Sequence, residues 1–513
     1  MSDSKVLTTA AFDGRHFSTS WLDATQRRRL VVLTALVIGL SLAVARLVLS
    51  MDVFAVAGLL VVAALIAVCI QPRWGLYLMF GIILFFDGTS QDPLMLPGRY
   101  INFSLQTTFN ISGAIVIPME LLVLLTSAMW LAHATLRRQF DLRLGAFGTP
   151  VLLFGGALVF GLVRGLIGGG NPNYSFWESR FLFSMILAYI LAANTIRTRA
   201  HVRTLTSLVF ILVSLSAIEG LWRKFALINN GLLGTAQEQW FSHEVVVFWG
   251  LLVMLVVAQQ VFKSGPQWRR VVGPFLALAA TLAMLVSERR AGIIAVAIAF
   301  AVLTLSLITI NRRAFLFIAL PALLMGGVYL PLFWTNTSSL GQGARAVRSI
   351  STPDPRDAAS NAWRDLEAIN VRATIASDPL LGIGFGRPFL QVVTVPDISF
   401  FEFWNYESHH DILWVWMKTG AFGFIAFFVL ALIAIARSIW LAKTLRDPEL
   451  RTFAMLTMTA IVMSLIFCYV DLGLTVTRIP LLLGVCLGAV GVLHRMPEET
   501  SQPAAAEPNL NSR

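Results

Sequence analysis

The chain has 513 residues, of which 57% are hydrophobic and 13% are charged, and its formal net charge is +11. Soluble domains are about one quarter charged, so this composition excludes a soluble enzyme. The positive charge does not indicate a nucleic-acid partner, because the basic residues lie mostly in short clusters between apolar runs. In that position they set the orientation of membrane spans, so we expect the lipid bilayer to be the partner.

The apolar residues form separate runs near the roughly 20 residues that a helix needs to cross a ~30 Å hydrocarbon core. The runs do not alternate as barrel strands do, and a lipid-facing backbone must satisfy its own hydrogen bonds. The predicted fold class is therefore all-α: a polytopic membrane protein of about 14 transmembrane helices. The third and fourteenth spans are weakly apolar, and without one or both of them the number is 13 or 12. The predicted spans are 30–47, 53–71, 74–87, 113–135, 150–168, 181–196, 204–221, 244–262, 271–287, 291–310, 314–334, 411–437, 452–470 and 474–493.

The basic clusters predict how these spans are oriented. Clusters at 137–143, 197–203, 263–270, 312–313 and 437–451 all fall on one side, which is the cytoplasmic side by the positive-inside rule. An even number of crossings places both termini there. The predicted organisation is a cytoplasmic tail (1–29), helices 1–11 (30–334), a large outside loop carrying site residues (335–410), helices 12–14 (411–494) and a disordered cytoplasmic tail (495–513).

Charged residues at the outer ends of two spans are the first site candidates. Arg180 lies near the outer end of the sixth span, where it either contacts a substrate or extends its head group to the interface. Arg289 and Arg290 follow Ser287 and Glu288 between two strongly apolar spans. Two outside arginines oppose the positive-inside trend, so we expect one of them, preferably Arg290, to bind an anionic group. Alternatively, Glu288 only neutralises one of them.

The loop 335–410 is far longer than the ~15 residues beyond which loops are usually functional or disordered. Its many aromatic residues predict packing and not disorder. Residues 361–377 predict an amphipathic helix ended by Asp378–Pro379, with an apolar stripe. The stripe consists of Trp363, Leu366, Ile369 and Ala373.

Five arginines precede Pro379 in this loop, enough to hold a diphosphate by charge-assisted bonds. They are Arg345, Arg348, Arg356, Arg364 and Arg372. The alternative is a solvated basic face balanced by Asp354, Asp357, Asp365 and Glu367. The predicted helix points Arg364 and Arg372 toward one region, so these two are the diphosphate candidates, and Arg348 is a possible substrate contact.

His409 and His410 stand directly before the twelfth span. A neutral imidazole near the membrane surface can take a proton from a hydroxyl, although such a residue can also merely cap a helix or bond a carbonyl. The segment PLLGIGFG at 379–386 lacks the Lys-Ser/Thr of a phosphate-binding P-loop and predicts a tight turn. No cluster of histidines, cysteines or acids has metal-ligand spacing, so we expect a metal-independent site without a cofactor.

Taken together, these features resemble the O-antigen ligase and O-antigen polymerase family of bacterial envelope enzymes. The resemblance is carried by the turn at 287–292, the Trp/Arg helix, the segment 379–386, His409 with Gly420 eleven residues later, and three closing spans. Family members usually have His-Asn where this chain has His409-His410, so the primary imidazole stays open, with the spacing favouring His409. The N-terminal half resembles the family only in hydropathy.

The resemblance implies a glycosyltransferase that moves a saccharide from a polyprenyl-diphosphate carrier to a hydroxyl of a glycan or lipid acceptor. The reaction would take place on the periplasmic face of the bacterial inner membrane, with a histidine base and arginines holding the diphosphate. Ligase and polymerase both remain open. A transporter of a small anion is an alternative that predicts binding residues near mid-membrane; a scaffold for other envelope enzymes is another.

Overall fold

A computed structural model of the protein describes residues 53–86, 116–136, 141–228, 241–397 and 402–496. The predicted first span at 30–47 lies outside these ranges. So do the tail at 1–29, nearly all of the tail at 495–513 and the side chain of Arg356.

The described ranges contain fifteen α-helices and no β-strand. Eleven of them are long and apolar enough to cross a membrane, namely all except α1, α2, α11 and α12 as numbered below. The chain is therefore an all-α polytopic membrane protein, and the predicted fold class is confirmed. The helices are α1 Val53–Ile70, α2 Arg73–Phe85, α3 Pro118–Leu136, α4 Gly148–Ile167, α5 Pro172–Thr195, α6 Arg199–Trp222, α7 Val245–Phe262, α8 Gln267–Ser287, α9 Arg290–Ile310, α10 Arg312–Phe333, α11 Gln342–Arg348, α12 Pro355–Ser377, α13 Asp411–Thr444, α14 Pro448–Val470 and α15 Arg478–Val492.

Residues 1–66 and 67–513 form two separate units, and of the first the structure describes only the beginning of α1. In the second unit, α15 packs along α5, and α14 packs between α7, α9 and α13. The helices α7, α14 and α15 are the most buried, whereas α10 has no buried residue. All four helices are strongly apolar, so hydropathy alone does not distinguish them. Burial does: α7, α14 and α15 belong to the core, whereas the surface of α10 faces lipid.

The helices α5 and α12 begin well before their predicted starts at 181 and 361, and each start has a local cause. The helix α5 begins at Pro172, because the side chain of Asn171 accepts hydrogen bonds from the backbone N–H groups of Asn173 and Tyr174. The helix α12 begins at Pro355, since a proline at the first helical position lacks only an N–H that would have no partner there. Because the first turns of these helices are polar, the pattern of apolar residues does not predict them.

The buried face of α12 is not the predicted apolar stripe. Ile369 of that stripe is 43% exposed, whereas the adjacent Asn370 is fully buried. The Asn370 side-chain oxygen accepts hydrogen bonds from the backbone N–H groups of Val392 and Val393, at 2.8 and 2.9 Å. The buried face is mixed, since Ala368, Val371 and Ile375 are buried beside Asn370. The polar side chain is buried there because it satisfies the backbone of the following loop, which an apolar side chain could not do.

The glycine-rich segment 379–386 inserts between α4 and α13. The Ile383 N–H donates to the Met417 carbonyl at 2.8 Å, and the Phe385 N–H donates to the Gly161 carbonyl at 3.1 Å. All three glycines of the segment have positive φ, at 71°, 84° and 78°. The segment therefore ties the loop before α13 to two membrane-spanning helices through the backbone.

Candidate functional site

The turn between α8 and α9 contains only Glu288 and Arg289. Glu288 adopts the left-handed conformation with φ of 58°, which reverses the chain within this short link. Arg289 donates a hydrogen bond to the carbonyl of Phe241, and Arg290 is the first residue of α9. Both guanidinium groups are therefore fixed at the same end of the helix pair.

Arg290 is paired with a carboxylate from the loop helix α12. Its Nε lies 3.3 Å from Oδ1 of Asp357. The same carboxylate receives two hydrogen bonds from Arg345 of α11, of 2.7 Å from Nη2 and 3.0 Å from Nε. Asp357 is 3% exposed, so one buried carboxylate joins guanidinium groups from α9 and α11.

Asp471, in the link between α14 and α15, holds an arginine of the loop helix α12. Arg364 Nη2 lies 3.4 Å from Oδ2 of Asp471, and His243 Nδ1 lies 3.2 Å from both carboxylate oxygens. Burial alone would raise the pKa of Asp471, but His243 and Arg364 beside it bring that pKa below its usual value. Asp471 therefore remains an anion that can hold Arg364 against the link.

His409 is held by α12. Its Nδ1 lies 3.4 Å from Oε1 of Glu367, and its backbone N–H donates to Oε2 of the same carboxylate at 2.9 Å. The ring of Trp363 meets the imidazole edge to face, with 4.8 Å between the ring centroids. The side chain of His409 remains 24% exposed, so the imidazole is oriented without being enclosed.

His410 is held by a different group. Its Nδ1 donates to the carbonyl of Tyr469 at 2.7 Å, which places the proton of the neutral ring on Nδ1. Burial, together with the nearby positive charges of Arg372 and Arg364, lowers the pKa of His410 below its usual value. The Nε2 atom is buried and has no hydrogen-bond partner among the described residues.

These groups line one cavity of about 770 Å³, which we call the charged cavity. The cavity brings together six residues that the sequence predicts as site residues: Arg289, Arg290, Arg364, Arg372, His409 and His410. Arg345, His243 and four carboxylates also line it: Glu288, Asp357, Asp365 and Asp471. Within the described ranges no group of three histidine, cysteine or acidic residues is arranged to hold a metal ion.

Arg372 differs from the other arginines of the charged cavity. It is exposed, and no carboxylate of the described ranges pairs with it. A guanidinium group in that state presents its N–H donors to whatever enters the cavity.

Two further predicted contacts lie elsewhere among the described residues. Arg180 is buried, with its guanidinium 3.3 Å from the Glu120 carboxylate and 3.5 Å from the centre of the Trp177 ring. Arg348 pairs with Asp354 at 2.8 Å and lies outside the lining of the charged cavity. Both arginines therefore join elements of the fold.

Sequence reasoning did not single out three residues of the charged cavity. Arg345 is one of the five loop arginines, whose pattern in the sequence fits a solvated basic face as well as a diphosphate site. His243 and Asp471 belong to no recognisable motif. One signal was available, because His243 directly precedes the predicted span 244–262 and Asp471 directly follows the span 452–470. Both therefore sit at the predicted membrane surface on the side of the long loop.

Residues 275–428 match the protein-family model described as O-antigen ligase. This stretch runs from α8 into α13 and contains the turn with Arg290, the helix α12 and the histidine pair. We refer to the residues matched by this model as the O-antigen ligase domain. The O-antigen ligase domain covers less than a third of the chain, and the resemblance predicted from the sequence is confirmed.

The O-antigen ligase domain supports an activity of the O-antigen ligase or polymerase type and indicates a glycosyltransferase-like enzyme. All six predicted site residues of the charged cavity belong to it. His243 and Asp471 lie outside the domain, although they complete the same cavity. A comparison with curated proteins found no significant match.

Proposed function

We propose that the protein transfers a saccharide from a polyprenyl-diphosphate carrier to a hydroxyl of a glycan or lipid acceptor, as a ligase or a polymerase. The observation that carries this proposal is the convergence of Arg289, Arg290, Arg364 and Arg372 with His409 in one cavity. Glycosyl transfer needs stabilisation of an anionic leaving group and removal of a hydroxyl proton at the same place. The charged cavity offers both.

In the proposed step, the acceptor oxygen forms a bond to the anomeric carbon while the bond from that carbon to the diphosphate oxygen breaks. The electron pair of the broken bond leaves with the diphosphate. Guanidinium groups neutralise this charge through charge-assisted hydrogen bonds, which are about twice as strong as neutral ones. They supply the electrostatic stabilisation that a divalent cation supplies in other phosphate-transferring sites, so the reaction is metal-independent.

The proton of the acceptor hydroxyl passes to His409. Its imidazole reaches the charged cavity and remains 24% exposed. His410 lines the same cavity, but its Nδ1 is bound to the Tyr469 carbonyl and its Nε2 is buried. His409 is therefore the better base, and His410 shapes the wall beside it.

The position of these groups favours an enzyme over a transporter. Arg290 begins α9, His409 precedes α13, and Arg364 and Arg372 lie on α12, which is not among the candidate spans. A transporter concentrates its binding residues near the middle of the membrane, often at broken helices. A site at helix ends suits a donor whose lipid lies in the bilayer and whose sugar lies outside it.

The charge distribution supports a periplasmic cavity in the bacterial inner membrane, with both termini in the cytoplasm. The helices α8 and α14 end at the charged cavity, whereas α9 and α13 begin there. The opposite ends of these helices lie beside Arg269, Arg312 and Lys443. Arginine and lysine accumulate on the cytoplasmic side, so the cavity faces outward.

The experiment that tests this function measures glycan transfer in proteoliposomes supplied with a polyprenyl-diphosphate-linked donor. We expect His409→Ala to reduce turnover by about 10²–10⁴-fold, the usual contribution of a general base. EDTA should leave wild-type turnover unchanged.

His494→Ala is the matched control, because it removes an exposed histidine at the C-terminal end of α15, away from the charged cavity. It should retain wild-type turnover. Full activity of His409→Ala, or loss of wild-type activity in EDTA, would contradict the proposed function.

A further inference from the structure

Glu367 of α12 is a carboxylate whose hydrogen bonds, among the described residues, go to the turn that carries His409. It accepts hydrogen bonds from the Ser408 hydroxyl at 3.2 Å and from the His409 backbone N–H at 2.9 Å. Its second oxygen lies 3.4 Å from Nδ1 of His409. The carboxylate thus contacts both the backbone and the ring of the same histidine.

Glu367 is almost entirely buried, with 2% of its surface exposed. A buried carboxylate is costly unless hydrogen bonds or an opposite charge compensate it. No arginine or lysine of the described ranges forms an ion pair with Glu367, and its ion-pair partner there is the His409 imidazole. The negative charge is therefore best compensated when His409 carries a proton.

The contact to Nδ1 also determines which nitrogen of His409 is basic. A carboxylate has no N–H or O–H to donate when ionised, so Nδ1 must be the donor in this pair. The lone pair of the neutral imidazole then lies on Nε2, which is the nitrogen farther from Glu367. The Trp363 ring restrains rotation of the imidazole about this axis.

His410 has the same tautomer but lacks this compensation. Its Nδ1 donates to a neutral carbonyl, that of Tyr469, instead of a carboxylate. A carbonyl stabilises the imidazolium less than a carboxylate does, and burial further lowers the pKa of His410. The two adjacent imidazoles are therefore prepared for different tasks.

We propose that Glu367 is a positioning residue that fixes the tautomer of His409, stabilises its imidazolium and so selects it over His410 as the base. This inference rests on the proposed glycosyl transfer. As the acceptor hydroxyl gives its proton to Nε2 of His409, the positive charge that forms on the ring lies against the Glu367 carboxylate. Glu367 itself touches neither donor nor acceptor.

Several other charged groups surround the histidine pair. They are Arg364 and Arg372 on α12, Asp411 at the start of α13, and Asp471 in the link between α14 and α15, with His243 bound to Asp471. These groups stay in place when Glu367 is replaced. A change in the pH dependence of the reaction can therefore be assigned to the Glu367 carboxylate.

The test replaces Glu367 by glutamine in the full-length protein and measures kcat, KM for the lipid-linked donor and the pH profile of kcat/KM. The glutamine amide offers an N–H to Nδ1, which moves the imidazole proton to Nε2 and removes the basic lone pair from the cavity. We expect kcat to fall by about 10²–10⁴-fold, the size of a general-base contribution, with KM for the donor unchanged. The acid limb of the kcat/KM profile should move to lower pH, because the imidazolium has lost its counter-charge.

Glu402→Gln is the matched control, since it makes the same charge change at an exposed residue of the same loop. It should keep the wild-type kcat and pH profile. A role for Glu367 in folding alone would lower the amount of folded protein but leave the pH profile of the folded fraction unchanged. A wild-type kcat or an unshifted acid limb in folded Glu367→Gln would overturn the proposal.

Glu367→Asp provides a second variant if the glutamine variant does not fold. The shorter carboxylate keeps the charge but draws back from Nδ1, so we expect a smaller loss of kcat with the acid limb close to its wild-type position. A kcat equal to that of the wild type in this variant would overturn the proposal. Absence of transfer by the wild-type protein would instead contradict the proposed function, and the two failures are therefore distinguishable.

Discussion

At the scale of single residues, the charged cavity is built from arginines that are held by buried carboxylates. Asp357 holds Arg290, and Asp471 holds Arg364. A charge removed from water needs such a partner, and the partner also fixes the direction of the guanidinium group. Each carboxylate also occupies some of the N–H donors of the guanidinium group that it holds. An entering diphosphate must share these arginines with their carboxylates, whereas Arg372 has no carboxylate partner among the described residues.

The planar fork of Arg290 gives a first prediction at this scale. In Arg290→Lys the positive charge remains, but an ammonium cannot bind Asp357 and a phosphate oxygen with the fixed geometry of a guanidinium group. We expect KM for the polyprenyl-diphosphate donor to rise about tenfold, which corresponds to about 1.4 kcal/mol of binding free energy. Steady-state kinetics in proteoliposomes measures this change.

Arg312→Lys is the control for the arginine substitution. Arg312 is exposed and begins α10 at the end opposite the charged cavity, so its replacement should leave the donor KM unchanged. Equal donor KM values for Arg290→Lys and the wild type would show that Arg290 does not contact the diphosphate.

The sequence predicted the arginines and histidines of the cavity better than their partners. Arg290 and His409 stood out because charged or titratable side chains at the ends of apolar spans are uncommon. Asp471 could not be found in the same way, since it lies 107 residues from Arg364 and 228 residues from His243. Contacts over such separations follow from how the helices pack, and no local periodicity encodes them.

At the scale of elements, the glycine-rich segment 379–386 supports the loop that carries the site. Its Gly384 has φ of 84° and lies so close to α4 that a Cβ atom there would come within 2.2 Å of the Gly165 backbone nitrogen. At the other side of the segment, Gly420 interrupts the helical geometry of α13 with φ of 68°. The tight turn could be predicted from glycine and proline content. Its insertion between two spans could not, because that depends on small residues of α4 and α13.

Gly384→Ala gives the prediction for this element. The substitution places a side chain in a left-handed conformation, at a cost of about 1–2 kcal/mol, and against a backbone that cannot move aside. Overpacking of this kind adds about 1–3 kcal/mol. We expect a large fall in the unfolding temperature, measured by the loss of monodisperse protein in detergent after heating.

Two other glycines separate the two contributions to that cost. Gly169 has φ of 81° but no atom within 4 Å of the added Cβ, so Gly169→Ala should show the conformational cost alone. Gly156 lies within α4 with open space around it, so alanine there should be neutral or slightly stabilising. A Gly384→Ala variant as stable as Gly169→Ala would show that the close approach to α4 does not constrain the segment.

At the scale of the whole molecule, charge is divided between the two ends of the helices of residues 67–513. The end with the charged cavity combines arginines, histidines and carboxylates, so its charges largely compensate each other. The other end carries Lys263, Lys443 and Arg446 beside helix termini, and there Asp447 and Glu449 pair with Arg199 and Arg203. Membrane orientation follows lysine and arginine in the short links between spans, to which acidic residues contribute little, so the second end should stay in the cytoplasm.

Cysteine labelling in intact cells tests this orientation. Of the three cysteines, only Cys69 is exposed, so a Cys69→Ser background removes the accessible thiol. Ser338 and Thr444 are both exposed. Ser338 follows α10 at the end of the helices where the charged cavity lies, whereas Thr444 ends α13 at the opposite end. In cells with a permeabilised outer membrane, a membrane-impermeant maleimide should label Ser338→Cys at once. It should label Thr444→Cys only after the inner membrane is broken, because the reagent cannot cross that bilayer. The reverse pattern would place the arginines and histidines of the charged cavity in the cytoplasm and would exclude transfer on the outer face.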